Sequence, residues 1–118
     1  DHFKLVNDTY GHNRGDVVLK DFTNIIKNSI RDSDYLIRWG GEEFIVLMRV
    51  NAIESLCRTT ENIRQRIEDY HFEEVDKITS SFGLTLYLEG EEVTKTIERA
   101  DKALYIAKEN GRNQLQVL

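Results

Sequence analysis

Two adjacent glycines between two apolar runs constrain the fold of this 118-residue chain more than any other feature. Residues 35–39 and 44–48 are rich in β-branched and aromatic side chains, as is typical of strands. Gly40-Gly41 has the length and composition of a tight hairpin turn, whose backbone requires positive φ. The segment therefore predicts an antiparallel hairpin with Gly40-Gly41 at its tip.

Two carboxylates, Glu42 and Glu43, directly follow the glycines. Like charges at the mouth of a hairpin repel each other and add nothing to packing, so the turn explains the glycines but not the acids. Because successive side chains of a strand point to opposite faces, one carboxylate can face a site while its neighbour faces away. The pair therefore indicates a functional site at the hairpin tip.

Apolar residues at three- and four-residue spacings predict three helices. The first covers residues 15–30, the second includes residues 53–67, and the third includes residues 93–107 and is closed by Gly111. Further strands are predicted over residues 78–88 and, more weakly, over residues 114–118. This alternation of helices and strands predicts a single α/β domain in which helices pack on one sheet.

Composition excludes several classes of protein. The net charge of -5 is opposite to that of a protein which grips nucleic acid, so we expect no DNA or RNA partner. No apolar run approaches the roughly 20 residues of a membrane-spanning helix, so we expect no membrane contact by this domain. The single cysteine, Cys57, cannot form an intrachain disulfide, which fits a reducing compartment such as the cytoplasm.

Three ordered blocks of sequence resemble one known family. They are FKLVNDTYGHNRGD at residues 3–16, RWGGEEF at residues 38–44 and ERADKALYIAKENGRN at residues 98–113. The blocks are similar to those of the GGDEF family of diguanylate cyclases, in which GGEEF is a common form of the signature. This resemblance implies a nucleotide-cyclase-like α/β (α+β) palm with a central, mainly antiparallel sheet flanked by helices.

The resemblance also implies a reaction. Two GTP molecules would condense into cyclic di-GMP with release of pyrophosphate, in a homodimer whose protomers each present one GTP, as part of bacterial second-messenger signalling. Glu42 matches the family's metal-binding carboxylate, with Mg²⁺ as the expected ion and Mn²⁺ as the alternative, since Mg²⁺ needs few protein carboxylates. Glu43 matches the second acidic position and is expected to support catalysis.

Further matches imply how GTP is bound. Asn7 and Asp16 match the family's guanine-reading pair. The residues alone favour a cap or turn for Asn7 and a helix N-terminus for Asp16, whereas the resemblance favours base recognition by both. Lys108 and Arg112 match the cations that contact the triphosphate, and cations at a helix C-terminus are also ordinary dipole partners. Lys4 is expected to add a third positive contact.

Arg31 and Asp34 resemble the family's RxxD inhibitory site, in which arginine and aspartate hold the cyclic di-GMP product. The alternative is an arginine that ends a helix and an aspartate in a turn. The family often adds an arginine from the following helix, and the matching position in this chain is Asn62.

The chain departs from the family pattern at its first residue. Where the sequence opens with Asp1, the family has an apolar strand and a further Asp two positions earlier, so residues 1–118 are expected to be a single GGDEF domain that lacks its first strand. Asp1 then matches the second Asp of the pattern and is not assigned as a metal ligand. We expect an active cyclase that is cytoplasmic or the cytoplasmic output domain of a larger sensor protein. The alternative is a catalytically silent GGDEF domain that senses GTP or cyclic di-GMP.

Overall fold

The computed structural model describes all 118 residues as four helices and four strands. The three predicted helices and the hairpin are confirmed, with shifted boundaries, and a short additional helix precedes them. In chain order the elements are α1 (Phe3–Tyr10), α2 (His12–Lys27), β1 (Tyr35–Gly40), β2 (Glu43–Leu47), α3 (Ile53–Asp69), β3 (Phe82–Leu84), α4 (Val93–Glu109) and β4 (Leu115–Val117).

Helix α1 and the first turn of α2 were not predicted. Helix α2 begins at His12, three residues before the predicted start, and ends at Lys27 rather than at residue 30. Helix α1 has eight residues, of which only Phe3 and Val6 pack against the core. Two apolar contacts in so short a segment are too few to show a helical period in the sequence. A helix of this length depends on tertiary packing rather than on its own propensity.

The hairpin turn lies one residue further along the chain than predicted. Strand β1 includes Gly40, which is paired with Glu43, so the two turn residues are Gly41 and Glu42. The register is irregular between Arg38 and Gly40, and the extra residue in β1 shifts the turn. Gly41 adopts a φ of 49°, a conformation that favours glycine. Glu42 therefore belongs to the turn rather than to a strand.

The prediction of one sheet was wrong in detail, because the strands form two separate pairs. Strands β1 and β2 are antiparallel, while β3 and β4 are parallel, and no strand is hydrogen-bonded to both pairs. Strand β3 has three residues instead of the eleven predicted. Its last paired residue is Leu84, opposite Val117 of β4, and beyond it Arg99 donates hydrogen bonds to the Thr85 hydroxyl and the Leu86 carbonyl.

The core joins α2 and α3 to the segment before β3. Six buried apolar residues form it: Val18, Ile26, Ile63, Ile67, Phe72 and Ile78. Helix α4 packs instead on β3, where Gly83 allows the strand to lie directly against the helix backbone at Ala100 and Leu104. No helix is both long and apolar enough to cross a bilayer.

Candidate functional site

The Glu42 carboxylate lies at the hairpin turn, is exposed and accepts no hydrogen bond from the protein. Together with Phe44 it borders a small cavity of about 50 Å³, which is too small for a nucleotide. Phe44 packs on Phe22 of α2 with 5.6 Å between the ring centroids, which anchors the start of β2 to the core. Glu43 is exposed and does not border this cavity, as alternation along the strand predicts.

Arg38 fixes the backbone of the turn. Its Nε and Nη2 atoms donate hydrogen bonds of 3.0 Å and 2.7 Å to the Gly41 carbonyl oxygen. Sequence reasoning missed this contact, although Arg38 stands two residues before the glycines in the same block. The turn is therefore held through its main chain, and the Glu42 side chain stays free.

The predicted phosphate-binding cations lie at the carboxyl end of α4. The Arg112 amide donates to the Ala107 carbonyl at 3.0 Å and the Gly111 amide to the Lys108 carbonyl at 3.4 Å, which is a Schellman arrangement with Gly111 at a φ of 112°. Both Lys108 and Arg112 are half-buried. Arg112 Nε is buried without a hydrogen-bond partner. An unpaired buried donor of this kind requires an explanation, and an anionic ligand provides one.

Glu42 and Asp1 border the same small cavity. Asp1 Oδ2 also accepts a hydrogen bond from the amide of Asn113, the residue after Arg112. The hairpin turn and the loop after α4 thus both lie next to Asp1, although Glu42 and Arg112 are 70 residues apart in the chain.

The Asp1 carboxylate is hydrogen-bonded to three other residues of the protein. It accepts hydrogen bonds from the Thr79 hydroxyl (2.9 Å), the Ser81 hydroxyl (2.7 Å) and the Asn113 amide (3.2 Å). It therefore joins the segment before β3 to the loop after α4. These hydrogen bonds involve both oxygens of the Asp1 carboxylate, and no sequence signal identified its three partners.

Asn7 lies inside α1, half-buried, with its side chain over Gly15 of α2. A Cβ atom at position 15 would overlap Asn7 Oδ1, so only glycine leaves room for the amide. Asp16, the next residue, is exposed. Neither the Asn7 amide nor the Asp16 carboxylate hydrogen-bonds to the protein, so both remain free for a ligand.

The structural alternatives for these two residues were wrong. Asn7 is interior to a helix and caps nothing. Because α2 begins at His12, Asp16 lies in the second turn and not in the first. Lys4 is exposed on α1 and forms no ion pair, and no contact links it to Lys108 or Arg112.

Asp34 is buried and structural in its contacts. Its carboxylate accepts hydrogen bonds from the backbone amides of Arg31 (2.9 Å) and Arg49 (3.4 Å). The Arg31 side chain is exposed and has no partner. The structure therefore presents Arg31 as a free cation on a loop that Asp34 shapes.

Helix α3, the helix after the hairpin, offers a mixture of free and engaged polar side chains. Asn62 and Arg58 are exposed and unpaired, whereas Arg66 donates to the Ser29 hydroxyl at 3.3 Å. Arg64 is fully engaged with Glu61, Gln65, Glu68 and Asn113. Its hydrogen bond lowers the pKa of Glu61.

The available carboxylates fit Mg²⁺ held jointly with a nucleotide. No group of three or more His, Cys, Asp or Glu side chains is placed to hold a metal ion. Mg²⁺ is commonly bound by one or two carboxylates with substrate phosphates and waters, so a complete protein cage is not required. Glu42 is the acid at the hairpin turn whose oxygens accept no hydrogen bond from the protein, and it borders the same cavity as Asp1.

Comparisons with known proteins agree with these features. A family model described as "Diguanylate cyclase, GGDEF domain" matches residues 1–114. Diguanylate cyclase A of Treponema denticola is 41% identical over 120 residues, which cover 98% of this chain and 32% of that protein. Diguanylate cyclase DgcP of Pseudomonas aeruginosa is 42% identical over 121 residues, which cover 99% of this chain and 18% of that protein. The chain thus spans a third or less of these two curated relatives.

Solved structures show the same fold. The active GGEEF domain of a diguanylate cyclase from Vibrio cholerae superposes with a TM-score of 0.90 at 36% identity, over 99% of this chain and 76% of that chain. The coiled coil and GGDEF domain of DgcB from Caulobacter crescentus, in complex with c-di-GMP, superposes with a TM-score of 0.92 at 32% identity, over 100% of this chain and 65% of that chain. The predicted palm fold is confirmed. By its sequence and its structure, the chain belongs to the GGDEF family of diguanylate cyclase domains.

Proposed function

We propose that the complete protein is a diguanylate cyclase, which condenses two GTP molecules into cyclic di-GMP in bacterial signalling. The observation that carries the proposal is the unpaired Glu42 carboxylate, which borders the same cavity as Asp1, while Asp1 is hydrogen-bonded to the loop that carries Arg112 at the end of α4. A nucleotide triphosphate bound there would meet positive charge at its phosphates and an acceptor near its reacting atoms. We assign the domain to the cytoplasm, where GTP is present.

Different residues of the site would bind different parts of GTP. The triphosphate would lie against Lys108 and Arg112, where a phosphate oxygen would satisfy the buried Arg112 Nε, with Lys4 as a third contact. The guanine would be read by the two free polar groups at α1 and α2. An Asp16 oxygen can accept from the N1–H and N2–H groups of the base, and the Asn7 amide can donate to the opposite edge.

The reaction forms two phosphodiester bonds. The 3′-hydroxyl of each GTP attacks the α-phosphorus of the other, each attack breaks the bond to the β-phosphate, and two pyrophosphates leave. Each hydroxyl loses its proton, and the Glu42 carboxylate is the group at the site that can take it. Glu43 adds negative charge beside it. Bound Mg²⁺, or Mn²⁺ as the alternative, would be held by Glu42 and neutralise charge on the phosphates.

The symmetry of the product supports a homodimer. Each domain presents one set of guanine, phosphate and carboxylate contacts, whereas the reaction requires two nucleotides in equivalent positions. Two copies related by a two-fold axis satisfy this requirement, since each copy then supplies one GTP to the other.

Product binding is a finer part of the proposal. The Arg31 guanidinium is free, and the Asp34 carboxylate holds the backbone from which it extends. The domains of DgcB were solved in complex with c-di-GMP, which supports product binding by this family. We propose that Arg31 contacts a phosphate or guanine edge of cyclic di-GMP, while Asp34 fixes the loop and accepts from the product.

The cyclase proposal is tested by incubating the complete protein with GTP and Mg²⁺ and separating the products by chromatography. We expect cyclic di-GMP and pyrophosphate from the wild type and neither from Glu42→Gln. GTP binding without turnover in the wild type would contradict the cyclase and favour a sensor domain.

Product inhibition is tested by titrating cyclic di-GMP against the initial rate. Arg31→Ala should raise the inhibitory concentration, whereas Lys102→Ala, an exposed residue of α4 without contacts, should not. Equal inhibition of Arg31→Ala and wild type would remove the assignment of Arg31.

A further inference from the structure

We propose that Asn113 is a positioning residue that holds Arg112 for its contact with the phosphates of GTP. The inference rests on the proposed function, because it assigns Asn113 a role in binding that substrate. Asn113 itself does not contact the nucleotide. It acts by fixing the backbone and side chain of Arg112, the residue before it.

The backbone at Arg112 needs external support. After α4 the chain passes through three successive residues with positive φ, namely Gly111 at 112°, Arg112 at 64° and Asn113 at 48°. Glycine adopts such angles without penalty and asparagine tolerates them, but a long side chain such as that of arginine does not favour them. Contacts on either side of Arg112 must therefore stabilise this conformation.

The main chain of Asn113 supplies part of this support. Its amide donates to Asp1 Oδ2 and to Ser81 Oγ, each at 3.2 Å. The carbonyl oxygen of Arg112 accepts from Gln114 Nε2 at 3.1 Å. These bonds join the loop to the segment before β3, but they do not connect it to the helices of the core.

The side chain of Asn113 makes that connection. Its Oδ1 accepts from Arg64 Nη1 at 2.9 Å, and its Nδ2 donates to Glu68 Oε2. The side chains of Arg64 and Glu68 are 13% and 21% exposed, so the bridge is shielded from competing water. Both extend from α3, which is anchored in the core by Ile63 and Ile67.

The consequence falls on the Arg112 guanidinium. Its Nε is buried and has no partner within the protein, so no direct contact fixes the head of the side chain. Its position follows from the backbone, and a small rotation there displaces a head several bonds away. Asn113 is the residue after Arg112, and its side chain is hydrogen-bonded to α3. It therefore holds the Arg112 guanidinium in place before the substrate arrives.

The test measures binding of GTP, in Mg²⁺ buffer, to the complete protein by calorimetry. Asn113→Ala should weaken GTP binding about tenfold. The double variant Asn113→Ala/Arg112→Ala should bind no more weakly than Arg112→Ala alone, because Asn113 acts through Arg112. Asn24→Ala, an exposed asparagine of α2 without side-chain contacts, is the matched control.

Exchanging the amide and carboxylate of the Asn113–Glu68 hydrogen bond distinguishes a positioning role of Asn113 from a general effect on folding. Asn113→Asp places two carboxylates against each other and should weaken GTP binding at least as much as Asn113→Ala. Adding Glu68→Gln restores the bridge with reversed polarity, because the new amide on α3 can donate to the new carboxylate in the loop while Arg64 still donates as well. GTP affinity should then recover to within about threefold of the wild type.

The outcomes are distinct. Wild-type affinity in Asn113→Ala, an additive loss in the double variant, or no recovery in the exchange would each overturn the inference. GTP binding that follows the expected pattern, without formation of cyclic di-GMP, would uphold the inference and contradict the cyclase. Absence of GTP binding by the wild type would overturn both.

Discussion

The two ends of the candidate site are built in opposite ways. The hairpin tip, residues 40–43, is held by its turn geometry and by Arg38, and both of its carboxylates are exposed. The α4 end, residues 108–113, is closed by a Schellman arrangement and tied to Asp1, Ser81 and α3 by hydrogen bonds. The hairpin tip presents an unpaired carboxylate on a turn with few stabilising contacts, whereas the α4 end presents cations on a loop that is hydrogen-bonded to several other segments.

This difference suits the proposed function. A carboxylate that must meet a metal ion and a reacting hydroxyl gains from being unpaired, since any protein partner would have to be displaced. Cations that bind a flexible triphosphate gain from being fixed beforehand, since less entropy is lost on binding. The four predictions below test this contrast, from the largest expected effect to the smallest.

The largest effect is expected from Glu42→Gln. The variant should lower the rate of cyclic di-GMP formation by about 10²–10⁴-fold, because it removes the proton acceptor and the free charge at the tip. The free energy of unfolding should stay within about 0.5 kcal/mol of the wild type, because the side chain has no partner to lose. Rates and urea unfolding are measured together.

Glu89→Gln, at an exposed position without side-chain contacts, is the control for Glu42→Gln and should match the wild type in both measurements. A Glu42→Gln variant that unfolds much more easily would show that the carboxylate is structural, which would remove the contrast between the two ends.

The second prediction compares Gly40 of the hairpin tip with Gly83 of β3, the strand that packs on α4. In Gly83→Ala the new Cβ would overlap the backbone of α4 at Ala100 and Leu104, so α4 must move away from β3. We expect a loss of about 1–3 kcal/mol in the free energy of unfolding, or more. Gly40→Ala meets nothing within 4 Å and should change it by less than about 0.5 kcal/mol. Equal losses in urea unfolding would contradict the different packing of the two regions.

The third prediction concerns the pH dependence of the loop that precedes α4. Hydrogen bonds, first from Arg99 and then from the Leu88 amide and the Thr96 hydroxyl, lower the pKa of Glu91 from 4.5 to about 2. A carboxyl group whose pKa is lowered by folding stabilises the protein above its unfolded pKa. That stabilisation is lost as the pH falls from about 4.5 towards 2.

Glu91→Gln should therefore unfold more easily than the wild type at pH 7, and the difference should shrink as the pH falls through this window. Urea unfolding at pH 7, 5 and 3 measures it, with Glu89→Gln as a control that shows no difference at any pH. A difference that stays constant with pH would contradict the role of the Arg99 hydrogen bonds.

The smallest effect is expected from Arg38→Ala. The variant removes two exposed hydrogen bonds to the Gly41 carbonyl and should cost about 0.5–1 kcal/mol of stability. Hydrogen exchange at the amides of residues 41–43 should accelerate more than exchange elsewhere in β1 and β2, because the turn is freed locally. Arg49→Ala, whose side chain has no contacts, is the control. Unchanged exchange at the tip would show that the turn geometry suffices without Arg38.

Several features could be predicted because each is encoded within a short segment. Gly40-Gly41 between apolar runs predicts a hairpin, and the apolar periods of α2, α3 and α4 exceed three turns each, long enough for the pattern to be read. The turn position was wrong by one residue because an irregularity in β1 leaves no mark in composition. Helix α1 was missed because it has eight residues and few apolar contacts.

It was harder to predict what each residue of the candidate site contacts than to predict which residues belong to it. Asp34 was predicted to accept from the product, and the structure adds that each of its oxygens accepts a backbone amide, a structural use that the sequence alone does not reveal. Asn113, Arg64 and Glu68 carry no local pattern that relates them. Their bridge depends on how α3 lies beside the end of α4, which is a property of the packed domain.

By itself, the sequence determined the three long helices, the hairpin and the family, because local periodicity, turn chemistry and ordered motifs are read along the chain. The tertiary structure alone decided that Glu42 and the loop carrying Arg112 both lie next to Asp1, and which polar groups are already paired and which are free. The physical reason is that hydrogen bonds and charge interactions act over a few ångströms in space, so they depend on which distant residues the fold brings together.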